Sequence, residues 1–290
     1  MTVSINADAE TLPATAKKQI VLWIGANAGG VTKTTLAVSM AYRMACLGID
    51  VCVLDLDTND SISVFCGLKN LPTDEQFPTQ SMADVLTSED FEGSWPLITP
   101  SWGRPKGRVD ICRGGLHLSQ IDKDISRLPR SEYVLKDKLQ DFPLTHDLII
   151  LDCPASLGIP TDLALAAATH VLVPMTLTPK STHAADKFLY WFRERCRKLR
   201  LDPSPSLMGF VPTLFKPSEA LQRGIMDELP AILSAAGVNC YPPTRYSTQF
   251  VNASAFGMPL QVYRPGNQAC RDFDPIIKDL CLLLDIKFRF

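Results

Sequence analysis

Residues 19–35 read QIVLWIGANAGGVTKTT, and no other stretch of the chain narrows the fold as far. Residues 19–24, QIVLWI, form a short, nearly continuous apolar run with β-branched members, the pattern of a strand buried on both faces. It stops at a loop of small residues that includes Gly29 and Gly30. The chain then resumes as TTLAVSMAYRMACLG, a helical pattern that ends at Gly48. The buried-strand pattern returns in VCVLDLD, RVDIC, DLIILD, HVLVP and LMGFVP, with helical stretches between most of them. The expected fold is α/β: a doubly wound parallel sheet covered by helices on both faces.

The chain has 290 residues, 46% of them hydrophobic, which suffices for one large core. No boundary divides residues 19–290, so they are read as a single domain. Residues 1–18 lack the apolar core of a signal peptide and are expected to form a disordered lead-in. Residues 67–107 hold several prolines and the exposed-looking stretch TPSWGRPKGR. They read as a loop-rich insertion with a short helix near 81–87, either functional or a tolerated surface insertion.

Composition removes several function classes. A net charge of −2 does not suit a general nucleic-acid coat, so any DNA contact must come from a local patch. The nine cysteines show no CxxC spacing, which argues against a disulfide framework, a zinc site and an iron–sulfur site. His117, His146, His170 and His183 have no metal-ligand spacing. No segment reaches the roughly 18 apolar residues of a membrane span. The expected location is the cytoplasm.

The loop carries chemistry. Converging backbone N–H groups bind anionic oxygens only where side chains are small, which Gly29 and Gly30 provide. Lys33 stands where a lysine reaches β- and γ-phosphates, and Thr34 where a hydroxyl ligates Mg²⁺. The helix that starts there adds the positive end of its dipole. Asp55, Asp57 and Asp152 end two buried strands at the edge where such sheets bind ligands. Buried carboxylates there are costly unless they meet a cation or donors. The alternative is that one of them only caps a helix or turn.

In order along the chain, AGGVTKTT, VLDLDTNDS and DLIILDCPASLG resemble the deviant Walker A, A′ and Walker B motifs of the ParA/MinD family of P-loop ATPases. GFVPTLF and ASAFGMPLQVYRPGNQA are also similar to ParA-type chains. The resemblance spans roughly residues 19–285, apart from 67–107. It implies a P-loop NTPase that binds ATP (or ADP) with Mg²⁺. Gly29, Gly30, Val31, Thr32, Lys33, Thr34 and Thr35 would form the phosphate loop, with Thr35 near the α-phosphate. Lys33 and Asp57 would be catalytic, Asp57 orienting or activating the attacking water. Thr34, Asp55 and Asp152 would serve the metal, partly through water. Val211–Thr213 and Pro242–Arg245, including Thr213 and Pro243, would pack around the base. A homodimer formed on nucleotide binding, non-specific DNA and a DNA-bound ParB-like adaptor are the implied partners, with the nucleoid as a second location.

Two positions depart from the family pattern. Its signature lysine, which reaches across a dimer to the partner's phosphates, falls at Ala28. The glycine before the catalytic lysine falls at Thr32. Loss of a cation at developing charge slows hydrolysis. A β-branched residue forced left-handed is strained by about 1–2 kcal/mol. Two readings follow: a weak ATPase that partitions or positions DNA, or a nucleotide-bound module that docks a partner or DNA without hydrolysis. In AADKFLYWFRERCRKLR (184–200), Phe188, Phe192, Cys196 and Leu199 recur at helical spacing and should face the core. Arg193, Arg197 and Arg200 recur on another face, with Arg195 and Lys198 adding charge nearby. That stripe is a candidate DNA contact or a solvated face. The C-terminal DPIIKDLCLLLDIKFRF suits a docked helix better than a membrane-seeking one.

Overall fold

The computed structural model describes residues 18–26, 29–68, 81–115, 118, 125, 130–155 and 158–288. Its strands are β1 (Ile20–Ile24), β2 (Val51–Asp55), β3 (Leu97–Ile98), β4 (Val109–Cys112), β5 (Leu148–Asp152), β6 (His170–Thr176) and β7 (Ser206–Thr213). They form one sheet in the order β3-β4-β2-β5-β1-β6-β7. All pairings are parallel except that of β3 with β4. The α-helices among the described residues are α1 (Lys33–Cys46), α2 (Ser61–Phe65), α3 (Met82–Thr87), α4 (Val134–Asp141), α5 (Ile159–Ala167), α6 (Ser181–Lys198), α7 (Ala220–Ala235), α8 (Thr248–Ala255), α9 (Leu260–Tyr263) and α10 (Asp274–Leu283).

Strands β1, β2 and β5 are buried along their whole length, as strands covered on both faces must be. Alternate side chains supply opposite layers. From β1, Ile20, Leu22 and Ile24 join the core that contains α1 and α10, while Val21 and Trp23 join the core that contains α5 and α6. The doubly wound sheet is therefore as expected. The chain leaves β1 toward β2 on one side and leaves β5 toward β6 on the other. The crevice between those connections lies at the carboxyl ends of β1 and β5, where open α/β sheets bind ligands. The C-terminal helix α10 is docked, with Ile276, Ile277, Leu280 and Cys281 in the core.

The described part of the 67–107 region keeps the stretch TPSWGRPKGR largely exposed, as expected, with Pro100 and Trp102 as its buried exceptions. It holds the expected short helix, α3, and the edge strand β3. Within the stretch expected to be exposed, Trp102 is 2% exposed. Its indole N–H donates to the Gly257 carbonyl at 3.1 Å, and its ring meets Tyr42 edge-on. One large ring with a satisfied N–H outweighs its polar neighbours and pins the segment to the core. Residues 69–80, and residues 1–17 of the expected lead-in, lie outside the described residues.

A polar cluster closes the opposite end of the sheet from the crevice. Asp110 of β4 is 4% exposed. Burial alone would raise its pKa. The His146 imidazole at 2.8 Å, the Thr99 hydroxyl at 2.5 Å and the Arg108 guanidinium at 2.9 Å outweigh it and hold the carboxyl below the usual range.

A carboxylate with a depressed folded pKa adds stability above its unfolded value of about 3.9 and loses it as pH falls through the folded one. Asp110→Asn should therefore destabilise the protein at pH 7 by about 1–3 kcal/mol, the range for a buried polar group deprived of its partner. Urea unfolding at pH 7 and pH 3 measures this, and the gap between wild type and variant should narrow at the lower pH.

Candidate nucleotide and magnesium site

The loop after β1 turns sharply before α1. Gly30 has φ 71°, and Thr32 has φ 65° and ψ 31°. Gly30 takes that conformation freely, but Thr32 takes it with a branched Cβ, at a cost of about 1–2 kcal/mol. The strain expected at this position is present. Thr32 also occupies the N-cap of α1, yet its side chain caps no N–H. Its carbonyl accepts the first helical bond, from Leu36 N–H at 2.9 Å. The first-turn amides of α1 therefore open toward the loop, the arrangement that suits an anion. Gly29 and Gly30 are exposed and Val31 is buried. Asn27 and Ala28 lie outside the described residues.

Two carboxylates stand beside this turn. Asp55 ends β2, Asp152 ends β5, and the two are direct register partners. They are 0% and 1% exposed. Asp55 Oδ1 accepts the Asp57 N–H at 2.9 Å, but its Oδ2 and both oxygens of Asp152 meet no donor within hydrogen-bond distance among the described residues. Burial raises the Asp55 pKa, and the neighbouring Asp152 raises it further. Burial likewise pushes Asp152 up to about 7, while the Thr34 hydroxyl and the Lys33 ammonium pull it down. Adjacent orphaned carboxylate oxygens, with a hydroxyl opposite, are the hard-oxygen set that Mg²⁺ takes, with water completing its shell. The residues present fit the ion.

Asp57 follows on the same edge. Its Oδ1 accepts from the Asn59 backbone N–H at 3.0 Å and side-chain amide at 2.8 Å. The chain thus brings Lys33, Thr34, Asp55, Asp57 and Asp152 together. Thr35 and Thr32 line a pocket of about 130 Å³ with Phe65, Leu214, Thr244, Arg245 and Phe250. The Arg245 guanidinium is held by Asp272 at 2.7 Å and Gln268 at 3.0 Å, so it frames the pocket. Thr213 is turned away: its hydroxyl donates toward the carbonyls of Val31 and Met175, both at 3.3 Å. It props the phosphate loop from below. Pro243 lines a neighbouring pocket that shares Arg245 and Tyr246. Leu214 was not signalled by sequence, because its φ of 57° has no residue signature. Phe65 and Phe250 read as ordinary core residues.

The basic residues of 184–200 are not placed alike. Phe188, Phe192, Cys196 and Leu199 face the core as expected. Arg195, however, turns inward to a fork-like pair with Asp162 of α5, because a buried carboxylate attracts the planar guanidinium. Arg197 is exposed but paired with Glu194 at 2.8 Å. Arg200 lies beyond the end of α6, at φ 51°. Arg193 remains exposed on the helix, flanked by exposed Lys187 and Tyr190.

A family model described as an AAA domain matches residues 19–201. The chain is similar to the cell division protein PomZ of Myxococcus xanthus, 26% identical over 258 residues, which cover 87% of this chain and 75% of that protein. It is also similar to the chromosome partitioning protein ParA of Caulobacter vibrioides, 24% identical over 247 residues covering 84% and 86%. Among solved structures, the ATP complex of a McdA variant from Cyanothece superposes with a TM-score of 0.76 at 18% identity, spanning 95% of this chain and 100% of that one. No helix among the described residues is long and apolar enough to cross a membrane.

A carboxyl with a raised folded pKa lowers stability progressively as pH climbs from its unfolded value toward the folded one. Asp152→Asn removes that burden near pH 7. The thermal midpoint of the nucleotide-free protein should rise by about 2–4 °C, the shift that roughly 1 kcal/mol produces in a large domain. The same variant should bind ATP with an affinity indifferent to Mg²⁺. Scanning fluorimetry and a nucleotide titration with and without Mg²⁺ check both effects.

Proposed function

The chain belongs to the ParA-like P-loop ATPases of the AAA domain family, and from that premise we propose that it is a Mg·ATP-dependent dimerising switch with slow ATPase activity, acting in DNA partition or positioning. The observation that carries this is the pair Asp55–Asp152, buried with three orphaned oxygens beside Lys33 and Thr34. A charge arrangement this costly is expected where a cation and a polyphosphate complete it.

In this reading the exposed glycines and the α1 amides hold the phosphates, and Lys33 neutralises them. Thr34, Asp55 and Asp152 hold Mg²⁺, which supplies charge neutralisation between the phosphates when bound. Asp57 orients the attacking water. ADP would occupy the same loop after hydrolysis. Two copies would enclose the nucleotides. Non-specific DNA would meet the exposed part of α6, and a ParB-like adaptor would set the time of hydrolysis. What supports the DNA partner is the similarity to the chromosome partitioning protein ParA of Caulobacter, together with the exposed cations Lys187, Arg193, Lys198 and Arg200.

A second reading keeps the nucleotide and drops turnover. Thr32 at φ 65° favours it, as does alanine at position 28. A phosphate loop strained before ligand arrives, with no lysine to cross the dimer, suits a module that stays loaded.

Phosphate release separates the two readings. The double change Ala28→Lys with Thr32→Gly returns a cation to the phosphate pocket and relieves the left-handed threonine. Turnover should rise from a slow wild-type rate by at least about tenfold, a small share of the roughly 10³–10⁵-fold that a well-placed transition-state cation supplies. A fast wild-type rate that falls in Lys180→Ala would instead place the compensating cation at exposed Lys180, the residue before α6.

The DNA contact has its own test. Replacing Arg193, Arg197 and Arg200 with glutamate, and leaving the Asp162-paired Arg195 intact, should abolish retention on duplex DNA at low salt in the presence of ATP. Nucleotide affinity should be unchanged. In wild type the retention should weaken steeply with added salt, as phosphate neutralisation requires.

A further inference from the structure

We propose that Arg113 is a positioning residue for Asp57, clamping the turn that carries this carboxylate to the segment that follows β4. The proposal deepens the hydrolytic reading above and rests on it. Arg113 comes directly after β4, and its side chain is 13% exposed. Its Nε donates to Ser63 Oγ at 3.0 Å, and one terminal nitrogen donates to Asp60 Oδ2 at 2.9 Å. Ser63 Oγ in turn donates to Asp60 Oδ1 at 2.5 Å. Both oxygens of Asp60 are thereby occupied.

Asp60 needs such a hold. Its φ is 48°, in the left-handed region that few residues other than glycine enter. The other end of the turn is held by backbone. The Gly115 N–H donates to the Asp57 carbonyl at 3.2 Å. Gly114 packs so closely that an added Cβ would lie 2.5 Å from that carbonyl and 2.9 Å from the Asp55 carboxyl carbon. The segment 113–115 therefore grips the turn at Asp57 and again at Asp60. Between those grips, the Asn59 side chain and backbone hold the Asp57 carboxylate. Removing Arg113 frees the Asp60 end, and the carboxylate loses the fixed geometry that catalysis needs.

Turnover distinguishes this role from a structural ion pair. The pair is largely shielded, so its loss also costs some stability; kcat is therefore compared well below each variant's thermal midpoint, where a purely structural pair leaves it unchanged. The test compares wild type with Arg113→Ala, Arg113→Lys, Asp60→Asn and the double variant Arg113→Ala/Asp60→Asn. Phosphate release gives kcat, a calorimetric titration with ATP and Mg²⁺ gives affinity, and thermal scans report folding. Arg113→Ala and Asp60→Asn should each lower kcat by about tenfold with ATP affinity held within about twofold. The double variant should be no slower than the slower single, as two members of one contact behave. Arg113→Lys should recover part of the loss. An unchanged kcat, a loss confined to ATP affinity, or multiplicative losses in the double variant would overturn the proposal.

Should wild type release no phosphate, the hydrolytic reading fails on its own account. The clamp is then decided by hydrogen exchange in the nucleotide-free protein. Amides of residues 57–60 exchanging about tenfold faster in Arg113→Ala, beyond any change in the amides of β1 and β5, uphold it, since such opening is local. Unchanged exchange refutes it.

Discussion

Burying two carboxylates side by side costs several kcal/mol per ion unless cations or donors compensate. Asp55 and Asp152 are placed that way by backbone alone: β2 and β5 are parallel neighbours, and their last residues are in register. The rest of the crevice is arranged around this constraint. Lys33 and Thr34 at the start of α1 face it, Asp57 donates its amide into it, and Gly114 gives up a side chain to approach it. Stability is surrendered locally, in the manner of functional sites. The sheet can bear the loss because both of its layers are continuous apolar cores.

How much of this could be read from the residues alone depends on the physics behind each element. The central strands were legible because strands buried on both faces are apolar without interruption, as VCVLD and LIILD are. Docking of α10 was legible from its apolar face. The burial of Trp102 was not, since a lone aromatic among prolines and glycines carries no periodicity. Its partner, the Gly257 carbonyl, lies 155 residues away.

The site divides in the same way. Lys33, Thr34, Asp55, Asp57 and Asp152 stand out as candidates in the sequence because the chemistry expected of them is tied to fixed positions: a loop between strand and helix, and strand carboxyl ends. Residues that act through long-range contact were missed or misplaced. Arg195 has the same helical spacing as any surface cation, and only α5 reveals that Asp162 claims it. The sequence places Thr213 beside the base but carries no sign of the contact its hydroxyl makes with the carbonyl of Val31 beneath the loop. Arg113 gave one signal in sequence, a charge at the end of a buried strand, but its partners Asp60 and Ser63 are 53 and 50 residues away.

The central claim is that this carboxylate pair, with Lys33, is built for a magnesium nucleotide. Its most direct measurement is a calorimetric titration of ATP into wild type and Lys33→Ala, each with Mg²⁺ and with Mg²⁺ chelated. The account predicts saturable binding to wild type that weakens by at least about tenfold without Mg²⁺, and by a similar factor or more when Lys33 is removed, as charge-assisted phosphate contacts require. Equal affinity under all four conditions would contradict it.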